Sequence, residues 1–420
     1  MESTHHTHPL IVIGAGAAGL MTAIHAGRGG VQGVLALDGS RAIGIKILVA
    51  GGGRCNVTHH SVHERDFAGS TPASIRRVLN RFTATHCVQF FADLGVELKQ
   101  EDTGKLFPVT DDAHTVLDAL LRAARQAGVQ LRHPQRVQNV QVLPSGEFQI
   151  HSDGTVLRAD RVVLATGGRS LPKSGSDGAG LAIATSLGHS LTPHMIPSLV
   201  PLLLHEGHWL RSLSGVSAPV ELKIVSGQGK RLHSCRGAML CTHFGISGPV
   251  TLDISRHWTL HQAQDASSRL QANFLPDMTE ESVDRWLLAG TGRTVLSRLR
   301  ESFPDRLAKG LLAEAAIDAD ATTQGIDRTL RRELVRTLTA LELPVVGDRG
   351  FIHAEATAGG VPLKEIHLET MESRVHRGLY VVGEILDVDG RIGGFNFQWA
   401  WSSGFVAGTA VAKRVAESRA

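Results

Sequence analysis

Two glycine clusters, near opposite ends of the chain, carry the most specific chemistry in this sequence. The first is Gly14-Ala15-Gly16-Ala17-Ala18-Gly19, directly after the apolar run Leu10 to Ile13. Gly14 permits a tight strand-to-helix turn, Gly16 lets a pyrophosphate approach the backbone, and Gly19 lets the helix lie close to the strand. A helix opening at Ala17 and Ala18 would turn free N–H groups toward the phosphates, at the positive end of its dipole. Asp38 closes the next apolar run, Val34 to Leu37. A carboxylate there accepts hydrogen bonds from ribose hydroxyls and disfavours a 2′-phosphate. This pattern predicts dinucleotide binding.

The second cluster points to FAD rather than NAD. Gly378 to Val382 reads as a strand ending in Gly383-Glu384, and the loop from Asp387 through Arg391 runs into Gly393-Gly394-Phe395-Asn396. FAD is the longer ligand, so its ribityl chain and ring need contacts beyond the first turn. Glu384 offers a carboxylate to a ribityl hydroxyl. Backbone N–H groups at a helix start after Gly394 can stabilise negative charge on a reduced flavin ring. Two intermediate segments add to this: Gly51-Gly52-Gly53-Arg54-Cys55-Asn56, and Ala165-Thr166-Gly167-Gly168 at a strand end. Successive glycines expose backbone N–H groups and leave room for a flat ligand or phosphate. No second strand–GxGxxG–helix unit occurs, so NAD(P)H, if it serves, is a transient donor that visits the flavin and leaves.

The elements that must hold these residues are legible from periodicity. Residues 10–38 read strand, glycine turn, helix over Ala17 to Ala26, strand over Val34 to Leu37. Residues 72–128 read as largely helical, over Arg76 to Leu94 and Ala113 to Ala127. Leu131 to Ile150 alternates like hairpin strands, and Arg161 to Ala165 reads as a buried strand. Strand character returns over Phe351 to Ala356 and Leu379 to Val382, with a final helix near Gln398. The chain divides into residues 1–192, the first part of the FAD-binding domain; 193–276, a β-rich insert; 277–342, a helical insert opened by the capping-type Thr279; 343–364, a β-rich return segment; and 365–420, the last part of the FAD-binding domain.

Composition narrows the class. The 420 residues are 42% hydrophobic and 20% charged, with a net charge of +3. That is ordinary for a globular protein and does not require a nucleic-acid partner. No apolar run reaches membrane-spanning length, and the first run is too short for a signal segment, so a cytoplasmic location is expected. The four cysteines form no CxxC pair, so no metal site is expected. His5-His6-Thr7-His8 reads as a solvated tail. The expected partner is a small-molecule substrate; the oligomeric state is open.

For chemistry beyond the flavin, His243 and Arg391 are the candidates. His243 adjoins the turn glycine Gly245 and could deliver a proton; a hydrogen-bonded structural histidine is the alternative. Arg391 could clamp a substrate carboxylate or be a solvated loop residue. Cys55 reads as a small residue packed beside the cofactor rather than a redox thiol, and Gln398 is a further candidate anchor.

At these motifs the sequence resembles the bacterial FAD-dependent oxidoreductases known as aminoacetone-oxidase-family FAD-binding enzymes, a group that includes a bile-acid dehydro-reductase. The matching segments include GAGAAGLMTAI (14–24), KILVAGGGRCNVT (46–58), CTHFGISGP (241–249) and GLYVVGEILDVDGRIGGFNFQWAWSSGFVAG (378–408). The resemblance implies an α/β fold: a FAD-binding Rossmann-like domain of two-dinucleotide-binding type, interrupted by a β-barrel-like module and a small helical module. It implies cofactor contacts at Gly16, Asp38, Lys46, Gly53, Arg54, Cys55, Asn56, Thr166, Gly167, Gly383, Glu384, Gly394, Phe395 and Asn396, with Val137 touching adenine through its backbone. Three positions depart from the pattern: Asp38 for glutamate, Ile45 for lysine, and Phe395 for tyrosine. The expected activity is hydride transfer between a small organic substrate and flavin. Two alternatives stand beside it: a flavin-dependent RNA-modification protein using the arginines of 293–306 and Arg331-Arg332, and a redox flavoprotein without turnover.

Overall fold

The computed structural model describes residues 7–289 and 292–419; His5 and His6 lie outside the described residues. The chain forms two compact units, one of Met1–Pro197 with Glu355–Ala420, the other of Ser198–Ala354.

The first unit is built on five parallel strands: β1 (Leu10–Ile13), β2 (Val34–Leu37), β3 (Gln130–Arg132), β4 (Val162–Leu164) and β5 (Leu379–Val381). Their spatial order is 3-2-1-4-5, the order of a doubly wound dinucleotide-binding sheet. Two short antiparallel strands, Ile366–His367 and Glu372–Ser373, extend the β5 edge. Strands β1, β2, β4 and β5 are buried at every position, as a sheet covered on both faces requires. Helix α1 (Ala17–Arg28) follows β1, and the C-terminal helix α2 (Phe395–Arg419) lies against it. Their backbones touch: a Cβ on Gly404 would stand 2.6 Å from Ala18 O, and one on Gly408 2.5 Å from Thr22 O.

Local expectations failed where long-range pairing or capping intervened. The span 76–94 is not one helix: Pro72–Leu79 ends at Asn80, and Thr83 accepts the His86 N–H and starts a second, Ala84–Asp93. Strands Leu98–Gln100 and Lys105–Pro108 follow before helix Ala113–Gln126. Leu131 belongs to the parallel sheet; the hairpin is Val137–Val142 with Phe148–Ser152. Thr7–His8 is no free tail but pairs with Arg158 and Ala159. Phe351 to His353 turn rather than extend, with strand structure only at Ala356–Ala358.

The second unit holds a seven-stranded antiparallel sheet. Its order is Leu341–Leu343, Arg269–Asn273, Ser217–Val225, Arg231–Thr242, Gly245–Ser247, Leu202–Leu204, Val345–Asp348. The two outermost strands are consecutive in the chain, separated only by Pro344, so the sheet curls to bring its edges together and is barrel-like. Helices Glu280–Leu288, Val295–Leu299, Asp305–Glu314 and Arg328–Ala340 share one apolar core with it. Among the described residues, no helix is long and apolar enough to cross a membrane.

Candidate functional site

The turn from β1 into α1 is shaped by contacts that exclude side chains. Gly14 has φ +100, and a Cβ there would lie 2.4 Å from Ala165 O; one on Gly19 would lie 1.8 Å from Gly14 O. Gly16 is different, because a Cβ there would meet nothing within 4 Å. The N-terminus of α1 has no side-chain cap, so the N–H groups of its first turn have no side-chain acceptor there. Asp38 first braces this turn: Oδ2 accepts from Ala15 N at 2.9 Å and Oδ1 from Ser40 N at 2.8 Å. Each oxygen keeps capacity for a ribose hydroxyl. Just beyond β4, the Thr166 hydroxyl is buried with no partner among the described residues. An open glycine face, uncapped helix N–H groups and an unsatisfied buried hydroxyl fit a phosphate-bearing dinucleotide.

Lys46 and Glu384, distant in sequence, form an ion pair at 2.5 Å (Nζ to Oε2). Lys46 also donates to Ser170 Oγ at 2.7 Å, and Glu384 Oε1 accepts from Ser170 Oγ at 2.7 Å and Thr357 N at 3.0 Å. Glu384 is thus already neutralised and multiply bonded. Ser170 and Thr357 escaped sequence reading. Ser170 adjoins the Gly167-Gly168 motif and was within reach of it; Thr357 carries no local signal, since only folding brings it to Gly168, whose Cβ would stand 2.4 Å from its hydroxyl.

The C-terminal glycine turn is closed by side chains. With its amide oriented to satisfy both ends, Asn56 donates to Thr58 O and accepts from Gly394 N, each at 3.0 Å. Asn396 holds Gly390 through both of its backbone groups, at 2.8 and 3.0 Å. Gly383 donates to Ser403 Oγ at 3.0 Å and accepts from Trp399 Nε1 at 3.2 Å. A Cβ on Gly393 would lie 3.1 Å from the Phe395 ring. Phe395 is fully buried, with the His59 ring stacked on it (centroids 4.9 Å apart) and the Arg391 guanidinium 4.3 Å from its centroid. Arg391 Nε is fixed on Asp66 Oδ1 at 2.9 Å. The Asp387 N–H donates to Val361 O. The side chains of Asn56 and Asn396 therefore face the protein itself, as does that of Gln398, which is fully buried and anchors no substrate.

The remaining candidates are scattered. Gly52 and Gly53 are exposed, and a Cβ added at either would meet no heavy atom nearer than 3.9 Å. Arg54 lies over the Phe107 ring and donates to Glu101 at 2.6 Å, which holds its guanidinium above its usual range. Burial pushes the Cys55 thiol up to about 12, which removes thiolate chemistry. Val137 is buried in the hairpin sheet, and Gly167 sits against Ser176. His243 belongs to the second unit; its ring is exposed, edge-on to Phe244, while its carbonyl accepts from Arg211 Nε at 2.9 Å. Arg391 belongs to the first unit. Most of the arginines suspected of binding RNA are paired internally: Arg293 and Arg298 with Glu301, Arg300 with Asp305, Arg331 with Asp284. Among the described residues, no cluster of histidine, cysteine or acidic side chains could hold a metal ion.

Comparison with known proteins identifies the family. Residues 8–410 match the family described as HI0933-like protein Rossmann domain. The chain is 34% identical over 408 residues to the 3-dehydro-bile acid delta(4,6)-reductase of Clostridium scindens, covering 96% of this chain and 98% of that protein. It is 33% identical to the ribosomal RNA dihydrouridine synthase of Escherichia coli, covering 94% and 95%. The fold is shared with the 3-ketosteroid-delta4-(5alpha)-dehydrogenase of Rhodococcus jostii, with a TM-score of 0.50, 16% identity and 98% of both chains covered. The chain belongs to the HI0933-like family and is a FAD-dependent oxidoreductase.

Proposed function

We propose that this enzyme reduces a carbon–carbon double bond conjugated to a carbonyl in a small organic molecule, with NADH or NADPH as a transient electron donor. The observation that carries the reading is the open cradle at Gly16 and the unsatisfied Thr166 hydroxyl, in the same unit as the Lys46–Glu384 pair. The cradle suits a phosphate-bearing dinucleotide, and membership of a FAD-dependent oxidoreductase family makes FAD the ligand proposed for it. The substrate class is supported by the two relatives, whose names both describe saturation of a ring double bond.

Bound FAD supplies the hydride chemistry. The α1 N-terminus would hold its pyrophosphate, Asp38 a ribose, and Lys46 and Glu384 the ribityl region. As hydride reaches the β-carbon of such a substrate, negative charge builds on the carbonyl oxygen and a proton must reach the α-carbon. Arg391 is the proposed electrophile: Asp66 fixes Nε, and the two terminal amino groups remain for an oxygen.

A second reading, reduction of a uracil ring within ribosomal RNA, is favoured by the name of the Escherichia coli relative. The chemistry would be the same; the internally paired arginines argue against an RNA-binding face built on them.

The test is an anaerobic titration of FAD-loaded protein with NADH and with NADPH, then addition of a 3-oxo-4-ene steroid, a simple cyclic enone or a ribosomal RNA fragment. Bleaching by a nicotinamide and recovery of the oxidised spectrum with an enone is the expected result. Recovery with RNA alone selects the second reading. Absence of recovery with all of them, together with bleaching by amines, would make the enzyme an oxidase and overturn both.

A further inference from the structure

We infer that Asn56 and Gln398 are positioning residues that fix the C-terminal glycine turn against the Gly51–Gly53 loop, and through it set the strength and redox potential of flavin binding. This rests on the reading of the first unit as the FAD site.

Asn56, Thr58 and Gln398 are 8%, 0% and 0% exposed. They form a continuous chain of hydrogen bonds. Asn56 accepts from Gly394 N and donates to Thr58 O. Thr58 Oγ1 donates to Gln398 Oε1 at 2.6 Å. Gln398 Nε2 donates to Phe82 O at 2.8 Å and to Ser402 Oγ at 3.1 Å, and its own N–H returns to Gly394 O at 2.9 Å. Trp401 Nε1 adds a bond to Val57 O at 2.9 Å. Both amides are held at each end by protein partners, Asn56 through one donated and one accepted bond and Gln398 through two donated and one accepted.

The geometry comes with backbone strain. Cys55, immediately before Asn56, has φ +60, a conformation that non-glycine side chains rarely adopt. Gly394 has φ +89 and lies so close to Thr58 that a Cβ would stand 2.7 Å from its carbonyl. A buried polar chain with a protein partner at each end of both amides fixes one relative placement of two segments where apolar packing would tolerate several. Here the segments are the glycine loop before Asn56 and the start of α2. The Gly394 N–H is occupied by Asn56, so any charge stabilisation from this helix start falls to the N–H groups that follow it.

The test uses Asn56→Asp, Asn56→Ala and the wild-type apoprotein, titrated with FAD between pH 4 and 8, with thermal melting of each apoprotein and the midpoint potential of each loaded protein. A protonated aspartic acid can both donate to Thr58 O and accept from Gly394 N; the carboxylate can only accept. Asn56→Asp is expected to bind FAD within threefold of wild type at pH 4 and at least tenfold more weakly at pH 8, while wild type stays nearly flat. Asn56→Ala is expected to bind at least tenfold more weakly at all pH and to shift the midpoint potential. If the apoprotein of Asn56→Ala does not fold, the pH series of Asn56→Asp alone decides. Wild-type affinity and potential in all variants would overturn the inference and leave the FAD site standing. Failure of wild-type apoprotein to bind FAD would overturn the site itself.

Discussion

At the N-terminal glycine turn, a side chain added at Gly16 would meet open space, while at the C-terminal turn one added at Gly394 would strike the Thr58 backbone at 2.7 Å. The first turn exposes its backbone: the start of α1 is uncapped and the nearby Thr166 hydroxyl lacks a partner among the described residues. The second turn conceals its backbone, with Asn56 on Gly394 and Asn396 on Gly390. Similar glycine-rich sequence therefore has two physical meanings. One glycine clears space for a ligand; another lets two stretches of protein come into contact. The helices that begin at these turns then meet at Gly404 and Gly408.

Substitutions within the first turn should separate these meanings most sharply. Gly19→Ala places a methyl 1.8 Å from Gly14 O and should destabilise by about 3 kcal/mol or more, read by urea unfolding. Gly16→Ala should leave apoprotein stability within about 1 kcal/mol yet weaken FAD at least tenfold by titration. Wild-type affinity in Gly16→Ala would break the comparison.

At the second turn, Gly394→Ala combines a left-handed backbone with a backbone clash. It should cost about 2 kcal/mol or more in the apoprotein, before any ligand is added. A loss confined to FAD affinity would show that the second turn is a ligand cradle like the first.

The Lys46–Glu384 pair bridges the two regions of sequence. Its side chains are only 24% and 18% exposed. A double-mutant cycle of Lys46→Met and Glu384→Gln should give a coupling of about 1 to 2 kcal/mol in apoprotein stability. Zero coupling would mean that the pair does not help hold the two regions together before ligand arrives.

The smallest effect concerns His25, where α1 meets α2. Its ring packs against Phe82, Phe90 and Phe405. Burial, and to a lesser extent Arg28, push its pKa down to about 4 from the usual 6.5. The unfolded chain therefore binds more protons than the native one between these values. Stability from this group is present above about pH 6.5 and is lost as pH falls toward 4. His25→Leu should flatten that part of the melting-temperature profile. An unchanged profile would locate the acid sensitivity elsewhere.

How far the site was legible follows from the range of the interactions involved. The β1–α1 turn, Asp38 at the end of β2 and the strand before Glu384 are local patterns, and the structure has these elements where periodicity and turn chemistry put them. The break at Asn80–Thr83 was obscured because apolar spacing continues across it, although Thr83 is a capping residue. The direction of the Asn56 and Gln398 side chains was not legible, since their partners come from distant segments.

By itself, the sequence determined the order of the α/β elements, the glycine turn over an open helix start and the kind of cofactor they suit, because each depends on residues within one strand–turn–helix stretch. Only the tertiary structure decided which glycines clear space and which make contact, that Lys46 neutralises Glu384, and that Asn56 and Gln398 face inward. Those outcomes depend on which distant backbone atoms come close to a given residue, and chain spacing does not encode that distance.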